Sequence, residues 1–346
     1  NWNAYSEALN LTLPEELLWK NELGHPAMRQ PQKPGSLKRE VSIATVTVAY
    51  NGAPLLPQHL EALKRQTRRI NEIIVVNNAS TDGTVTMLAD RYPEITMLNL
   101  SENGGVGGGL AAGLRYAAIT KKYDWVWLFD QDSFPSETGL ERLLDGLQLL
   151  DETGSKTAIL APTNIHPGTN MTWPGLYWRG GRFRPSPESD QRITFVDSVI
   201  SSGSLIRREA VEAVGLPRSD FFMDFVDHEH CLRLRRHGFR IAVVRDSLLH
   251  HVNGDPSKFE ILGRTKYWTD HVPWREYYMT RNEVFTMWQY YPKWWSKLFT
   301  VYRLARKALD VLLFGNRKVE CFRMMYRGFL DGRVGRLGVR YPDASR

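Results

Sequence analysis

The chain reads as an α/β protein: a doubly wound, mostly parallel sheet with helices on both faces, followed by a helical C-terminal segment. Three observations predict this. Apolar, β-branched runs alternate with helical patterns between residues 41 and 129. Short polar turns close those runs at their C-terminal ends, and the pattern beyond residue 274 is helical throughout.

Residues 1–40 are polar, carry Pro14, Pro26, Pro31 and Pro34, and read as an irregular arm with one short helix near 15–23. Residues 41–49 are rich in Val, Ile and Thr and read as a strand. A helix over 55–66, a strand over 72–76, a helix over 84–92, a strand over 95–100, a helix over 106–121 and a strand over 125–129 follow. Further on, shorter strands are expected at 159–161, 195–199, 204–207 and 241–244, with a helix over 226–237 among them. The expected organisation is an arm (1–40), an α/β domain (41–273, with halves 41–133 and 134–273) and a C-terminal helical segment (274–346). There is no internal repeat or low-complexity tract.

At 346 residues, 42% of them hydrophobic and 24% charged, the chain can bury a full core and does not read as disordered. Its two cysteines, Cys231 and Cys321, form neither a disulfide framework nor a zinc signature, which fits a reducing compartment. No apolar run approaches the roughly 18 residues of a membrane span. Residues 1–20 lack a basic start followed by an apolar stretch, so no signal peptide is expected there. The net charge of +7 is uneven: residues 281–346 hold 14 Lys/Arg and 5 Asp/Glu, a net of +9, leaving the remainder at −2.

The candidate site sits at strand ends, where open α/β sheets bind ligands. Asp130-Gln131-Asp132 directly follows the run Trp125-Val126-Trp127-Leu128-Phe129. Two aspartates so placed suit a hard divalent cation and the diphosphate it bridges. Phosphates would repel these carboxylates without a positive partner, so Mg²⁺ or Mn²⁺ is required, to neutralise the diphosphate as it leaves. Two other strand ends, Ala49-Tyr50-Asn51 and Asn77-Asn78-Ala79-Ser80-Thr81-Asp82, offer small polar groups for a base and ribose. The second also reads as a helix N-cap. Asn103-Gly104-Gly105, opening a glycine-rich stretch before a helix, reads equally as an anion cradle and as a flexible loop. Asp227 and Glu229, at the start of the 226–237 helix, are both candidates for a general base near an attacking hydroxyl. The null for such an acid is the helix dipole alone. His250-His251 follows a strand, and a histidine there suits a third metal ligand tolerably.

These segments, in this order, resemble the family 2 glycosyltransferases of the GT-A fold, over about residues 41–285. Asp130-Gln131-Asp132-Ser133 and Asp224-Phe225-Val226-Asp227-His228-Glu229 look most like the family's bacterial rhamnosyltransferases. The resemblance implies that Ala49, Asn51, Asn78 and Asp82 line the nucleotide pocket, with Tyr50, Asn77, Asn103, Gly104, Gly105 and Gln131 beside them. It implies that Asp130 and Asp132 hold ribose, metal and diphosphate, that His251 is a metal ligand, and that Asp227 is the base. Ser202 and Gly203 match an acceptor-side strand. Tyr278 and Arg281-Asn282 match a loop that can close over the phosphates, Arg281 serving as a charge partner. The family usually has an acidic residue at 77 or 78; here both are Asn, which leaves base preference open. The implied reaction is displacement with inversion, since no nucleophile for a double displacement stands near the other motifs. The implied donor is dTDP-rhamnose, with a UDP-sugar (galactofuranose or an N-acetylhexosamine) as alternative, and the acceptor a glycan or lipid-linked hydroxyl in surface-polysaccharide assembly.

In the C-terminal segment, Leu298, Val301, Tyr302, Ala305, Ala308, Leu309, Leu312 and Leu313 share one helical face beside Trp288, Tyr290, Tyr291, Trp294, Trp295 and Phe299. With the concentrated basic charge, this resembles an interfacial anchor on the inner face of the plasma membrane, and charge reversal at Arg303, Arg306 and Lys307 is expected to weaken it. The alternative is a lid whose apolar face packs on the catalytic domain. No nucleic-acid partner is expected, because no nucleic-acid module accompanies the basic segment. A nucleotidyltransferase would need an Arg/Lys-bearing glycine loop after the first strand, and Tyr50-Asn51-Gly52-Ala53-Pro54 lacks it. A non-catalytic binding protein would leave the Asp130, Asp132, Asp227 and His251 series without a purpose.

Overall fold

The computed structural model describes residues 41–341 apart from 169–170, 174, 180–181, 188–189, 252–256 and 262–263. The arm at 1–40, with its expected helix, lies outside the described residues. In chain order the elements are β1 (Ile43–Ala49), α1 (Leu56–Lys64), β2 (Glu72–Asn77), α2 (Thr84–Arg91), β3 (Thr96–Asn99), α3 (Gly105–Leu114, continued by a π-type turn over Arg115–Thr120) and β4 (Trp125–Asp130). Then come β5 (Ser133–Pro135), α4 (Gly139–Glu152), β6 (Thr157–Ile165), β7 (Thr172–Trp173), β8 (Leu176–Arg179), β9 (Arg182–Pro185), β10 (Ile193–Val196) and β11 (Leu205–Arg207). The rest are α5 (Arg208–Val214), α6 (Val226–Arg236), β12 (Arg240–His251), β13 (Ser257–Ile261), β14 (Arg264–Trp268), α7 (Pro273–Tyr290), α8 (Trp294–Phe314) and α9 (Lys318–Val334).

One sheet carries the domain, in the order β10-β12-β6-β11-β4-β1-β2-β3. β1 to β4 run parallel, β11 is antiparallel to both neighbours, β6 and β12 run parallel, and β10 closes the edge antiparallel. β1 is buried along its whole length because it is covered on both faces. Its Ala44, Val46 and Val48 join Leu110 and Leu114 of α3 and Val211, Val226 and Cys231 of the α5–α6 region. Ile43 and Ala49 face the other way, with Leu56 and Leu60 of α1 and the Leu140–Leu150 stripe of α4. The period-2 alternation of a strand thus feeds two separate cores, as the doubly wound reading requires.

Several elements exceed or escape the sequence reading. β6 spans nine residues, and β12 runs to His251 across a register shift between Val244 and Leu248. The polar Arg245-Asp246-Ser247 at that shift conceals the strand's second half. β10 ends at Val196, short of the expected 199, because Asp197 turns to accept the Trp178 N–H at 2.5 Å. α4 and α5 were not expected at all.

The glycine-rich stretch is not a flexible loop: from Gly105 it is a packed helix. A Cβ on Gly109 or Gly113 would stand 2.4 or 2.2 Å from the Val48 or Val46 Cγ1, and one on Gly105 or Gly107 would strike the Phe222 or Arg218 carbonyl. The same device seats α9 on α7: a Cβ on Gly328 or Gly332 would meet the Tyr277 or Arg281 carbonyl oxygen at 2.5 Å.

The C-terminal segment is helical, as expected, but α8 is oriented opposite to the lid reading. Its buried residues are Ser296, Thr300, Leu304, Asp310 and Val311, whereas Leu298, Val301, Tyr302, Leu309, Leu312 and Leu313 face solvent. Arg303 pairs with Glu283 of α7 at 3.1 Å and Lys307 with the buried Glu276 at 2.6 Å. No described helix is long and apolar enough to cross a membrane.

Candidate active site

Neighbouring strand ends gather the expected residues. Val48 lies opposite Asp130, and Ala49 opposite Asn77, so residues 50–52, 78–82 and 130–132 emerge on one edge of the sheet. Their loops are stitched together. Gln131 clamps the Tyr50 backbone, accepting its N–H at 3.0 Å and donating to its carbonyl at 3.1 Å. Asn51, at positive φ, accepts the Thr81 N–H at 2.8 Å, while its own N–H goes to the Ser80 hydroxyl at 3.0 Å. Asp82 accepts the N–H of Thr84 and of Ala53, but the N-cap of α2 is Gly83 and not one of the expected side-chain caps. Asn77 and Asn78 are buried. Asn77 bonds Asn99 and the Ser80 N–H, and Asn78 bonds Asn103, the Gly104 N–H and the Gly105 carbonyl. Both carboxamides therefore shape the pocket floor through the loops they hold.

Asp130, Asp132 and His251 come together with one donor atom each within 4.8 Å of the others, which is a possible metal site. The β12–β5 pairing places His251 opposite Ser133, one residue past Asp132. His251 Nδ1 stands 2.8 Å from the Ser133 hydroxyl and 3.4 Å from Asp132 Oδ1, with Nε2 3.9 Å from Asp130 Oδ2. Burial pushes the Asp130 carboxyl up to about 6, with the charges of Asp132 and Asp227 adding and that of His251 opposing. Burial works against a charged His251, but the Asp132 hydrogen bond and both aspartate charges outweigh it and raise its pKa. Two carboxylates and an imidazole, all favouring a positive charge between them, fit Mg²⁺ or Mn²⁺.

A layer beneath fixes this triad. The Ser202 hydroxyl receives the Asp130 N–H at 3.2 Å and lies 2.5 Å from the Ser133 hydroxyl. Gly203, at φ +79, is wedged against Leu249 and Pro162, and its carbonyl accepts the Trp127 indole N–H at 2.8 Å. Ser202 and Gly203, both buried, thus brace the floor beneath the triad. Buried His59, which the sequence reading missed, spans from the Thr47 hydroxyl (2.8 Å) to the Ser133 carbonyl (2.5 Å). As a lone histidine in an amphipathic helix it carried no signal.

The structure separates the two base candidates. Asp227 lies on the first turn of α6, accepts the His228 N–H at 2.8 Å, and its charge is felt at Asp130. Glu229 is buried and points away, accepting from the Tyr290 hydroxyl at 2.7 Å and the Arg233 guanidinium at 3.0 Å. Its role as a catalytic candidate is corrected by this burial: it ties α6 to α7.

Arg281 is also redirected. It is buried, and its guanidinium donates to the backbone carbonyls of Gly338, Asp220 and Phe221. Tyr278 is buried too, its hydroxyl accepting the N–H groups of Arg340 and Tyr341. Asn282 donates to the carbonyls of Phe221, Met223 and Asp224. This cluster holds the turn before Asp227 and does not reach for phosphates. The cation that does face the carboxylates is Arg275, in a two-point pair with Asp224 (3.1 and 3.2 Å) and within electrostatic reach of Asp130.

The sheet order, the helices on both faces and the Asp130–Asp132–His251 cluster at the strand ends are those of a glycosyltransferase with the GT-A fold. Residues 45–215 match the model of glycosyl transferase family 2, so the chain carries a domain of that family. It is 28% identical over 301 residues to the dTDP-rhamnosyl transferase RfbF of Shigella flexneri, covering 86% of this chain and 97% of that one. It is 28% identical over 253 residues to the galactofuranosyltransferase GlfT1 of Mycobacterium tuberculosis (71% and 82%). The N-acetylglucosaminyl-diphospho-decaprenol L-rhamnosyltransferase of Mycobacterium tuberculosis is 26% identical over 236 residues (60% and 76%). Among solved structures, GalNAc-T7 with UDP, GalNAc and Mn²⁺ superposes with a TM-score of 0.56 at 14% identity (85% and 56%). S. aureus TarS 1-349 does so at 0.51 and 15% (86% and 82%). These two likenesses concern the fold.

Proposed function

We propose that this glycosyltransferase is metal-dependent and inverting, and moves rhamnose from dTDP-rhamnose to a hydroxyl of a glycan or lipid-linked acceptor in bacterial surface-polysaccharide assembly. The observation that carries the reading is the Asp130–Asp132–His251 triad, and the charge of Asp227, on the first turn of α6, that reaches Asp130 supports the base role. A bound Mg²⁺ or Mn²⁺ would supply charge neutralisation for the departing nucleoside diphosphate. Tyr50-Asn51 and the 78–82 loop hold the nucleotide. Asp227 accepts the acceptor hydroxyl proton as the new C–O bond forms at the anomeric carbon and the bond to phosphate breaks with its electron pair. Two of the relatives named above are rhamnosyltransferases, which supports the donor. The GlfT1 relative favours a UDP-galactofuranose donor as the second reading, and an N-acetylhexosamine donor is a weaker variant of it. The lipid-linked acceptor implies work at the cytoplasmic face of a membrane.

Thermal stabilisation by dTDP, UDP and GDP, each with and without Mn²⁺, tests the donor and the metal together, since a ligand of the folded state raises its apparent stability. A metal-dependent shift with dTDP alone supports the rhamnosyl reading, and one with UDP alone replaces it. A shift independent of metal removes the metal from donor binding.

A further inference from the structure

We propose that α8 and α9 form a docking surface for an anionic lipid bilayer. The wider apolar stripe of α8 faces outward. In a water-soluble helix the apolar stripe faces the core. Here Ser296, Thr300 and Asp310 are buried beside Leu304 and Val311, and the ion pairs Arg303–Glu283 and Lys307–Glu276 hold this mixed side inward against α7. The apolar stripe is left outside: Trp294 is 72% exposed, and Leu298 and Leu313 are each 58% exposed. Breaking two pairs that involve buried carboxylates would be needed to turn the helix over, so the outward stripe is a fixed property of the fold.

α9, seated on α7 through Gly328 and Gly332, exposes a second apolar and basic face. Val319, Tyr326, Leu330 and Val334 are exposed on it, between the exposed Arg323, Arg327 and Arg333. Residues 281–346 carry a net charge of +9, and two of their five acids, Glu283 and Asp310, are buried. The exposed charge is therefore more one-sided than the count suggests. A second copy of the chain would bring like charge against like charge. A nucleic acid would meet the arginines but gain nothing from the leucines. An anionic bilayer satisfies both, with apolar residues in the acyl boundary and arginines at the headgroups. The charge-reversal site expected from sequence is corrected accordingly: Arg303 and Lys307 anchor α8 to α7, and the lipid-facing cations lie on α9.

The surface rests on the proposed reaction only in its purpose, to meet a lipid-linked acceptor. The test is flotation of the full chain with phosphatidylglycerol-containing vesicles and with phosphatidylcholine vesicles, at low and high salt. Binding to the anionic vesicles, weakened by salt, is expected. The combined variant Leu298→Ser, Leu309→Ser, Leu312→Ser, Leu313→Ser is expected to lose about a hundredfold in partitioning, and Arg323→Glu, Arg327→Glu, Arg333→Glu a similar factor on anionic vesicles only. All seven sites are exposed, so the metal-dependent nucleotide shift should survive in both variants. Unaltered partitioning of the leucine variant overturns the proposal. So does absence of vesicle binding, whether with a concentration-dependent dimer (a second copy) or with a monomer whose own residues 1–40 cover the face. Vesicle binding without any nucleotide shift sinks the catalytic reading and leaves the surface standing.

Discussion

The side-chain amide of Asn282 reaches the carbonyl oxygen of Met223 at 2.7 Å, and through that contact α7 grips the turn that delivers Asp227. The same amide faces the carbonyls of Phe221 and Asp224 at 3.0 and 2.9 Å. Phe222, Asp224 and Phe225 all have positive φ, each costing on the order of 1 kcal/mol or more, and such backbone persists only where its surroundings over-determine it. Asn282→Ala should let the turn relax. We expect kcat to fall by about a hundredfold or more, with metal-dependent nucleotide binding changed by less than about threefold. Steady-state kinetics beside thermal shifts measure both, and an intact kcat would remove Asn282 from this role.

Asp227 and Glu229 should part company in experiment. Asp227→Asn is expected to lower kcat by about 10²- to 10⁴-fold, the range for a general base, with little change in melting temperature. Glu229→Ala should do the reverse, destabilising by roughly 3 kcal/mol as the Tyr290 hydroxyl and Arg233 lose their buried partner. Denaturant titration and rates taken well below the transition separate the two. Full activity in Asp227→Asn would remove it from the base role.

Metal affinity should fall in acid. Burial holds the Asp130 carboxyl up to about 6, and His251 is raised above its ordinary 6.5, so as pH drops protons occupy His251 first and then Asp130. A cation must displace them, so the apparent affinity weakens already from above pH 6.5 and falls more steeply through about pH 6. Mn²⁺ titration followed by the nucleotide-dependent thermal shift, repeated across pH, should show this slope. His251→Ala should weaken the metal requirement's midpoint by about tenfold or more.

His59 gives the fold its own acid sensitivity. Burial lowers its pKa from 6.5 to about 4, against the weaker opposing pull of the Ser133 carbonyl and Asp132. A folded pKa below the unfolded one means the unfolded chain binds the proton first. The neutral ring's contribution is then complete above about pH 6.5 and is lost progressively down to pH 4, roughly 3 kcal/mol in all. Melting temperature against pH checks this. His59→Gln should show a shallower decline over the same window, and a parallel decline would assign the acid loss to other groups.

Much of this was legible in the sequence because the local pattern and the tertiary outcome agree. Strand runs buried on both faces are apolar throughout, so β1, β2 and β4 stood out, and the polar turns after them marked the site edge. Asp130, Asp132 and Asp227 were legible as carboxylates at element ends. His251 was legible only as a histidine after a strand; its approach to Asp130 and Asp132 comes from the pairing of β12 with β5, a long-range register that spacing does not encode. Arg281 was misread because a cation in a motif looks the same whether it meets phosphate or backbone carbonyls. Glu229 and Asp227 differ by two positions on one helix, and only the packing of Tyr290 tells them apart.

The glycines of α3 show the same limit and yield a sharp test. Gly109 and Gly113 lie on the face that meets β1, where a Cβ would stand 2.4 Å from Val48 and 2.2 Å from Val46. Both neighbours are buried β-branched strand residues with little room to rotate, so Gly109→Ala or Gly113→Ala should cost about 1–3 kcal/mol or more. Gly108, directly before Gly109, has nothing within 4 Å of its would-be Cβ. Gly108→Ala should therefore stabilise by up to about 1 kcal/mol, the ordinary difference in helix propensity. If the stretch were a phosphate cradle, all three changes would instead act on nucleotide affinity and leave stability alone. Urea midpoints beside nucleotide thermal shifts for the three variants distinguish a packing stripe from a binding loop.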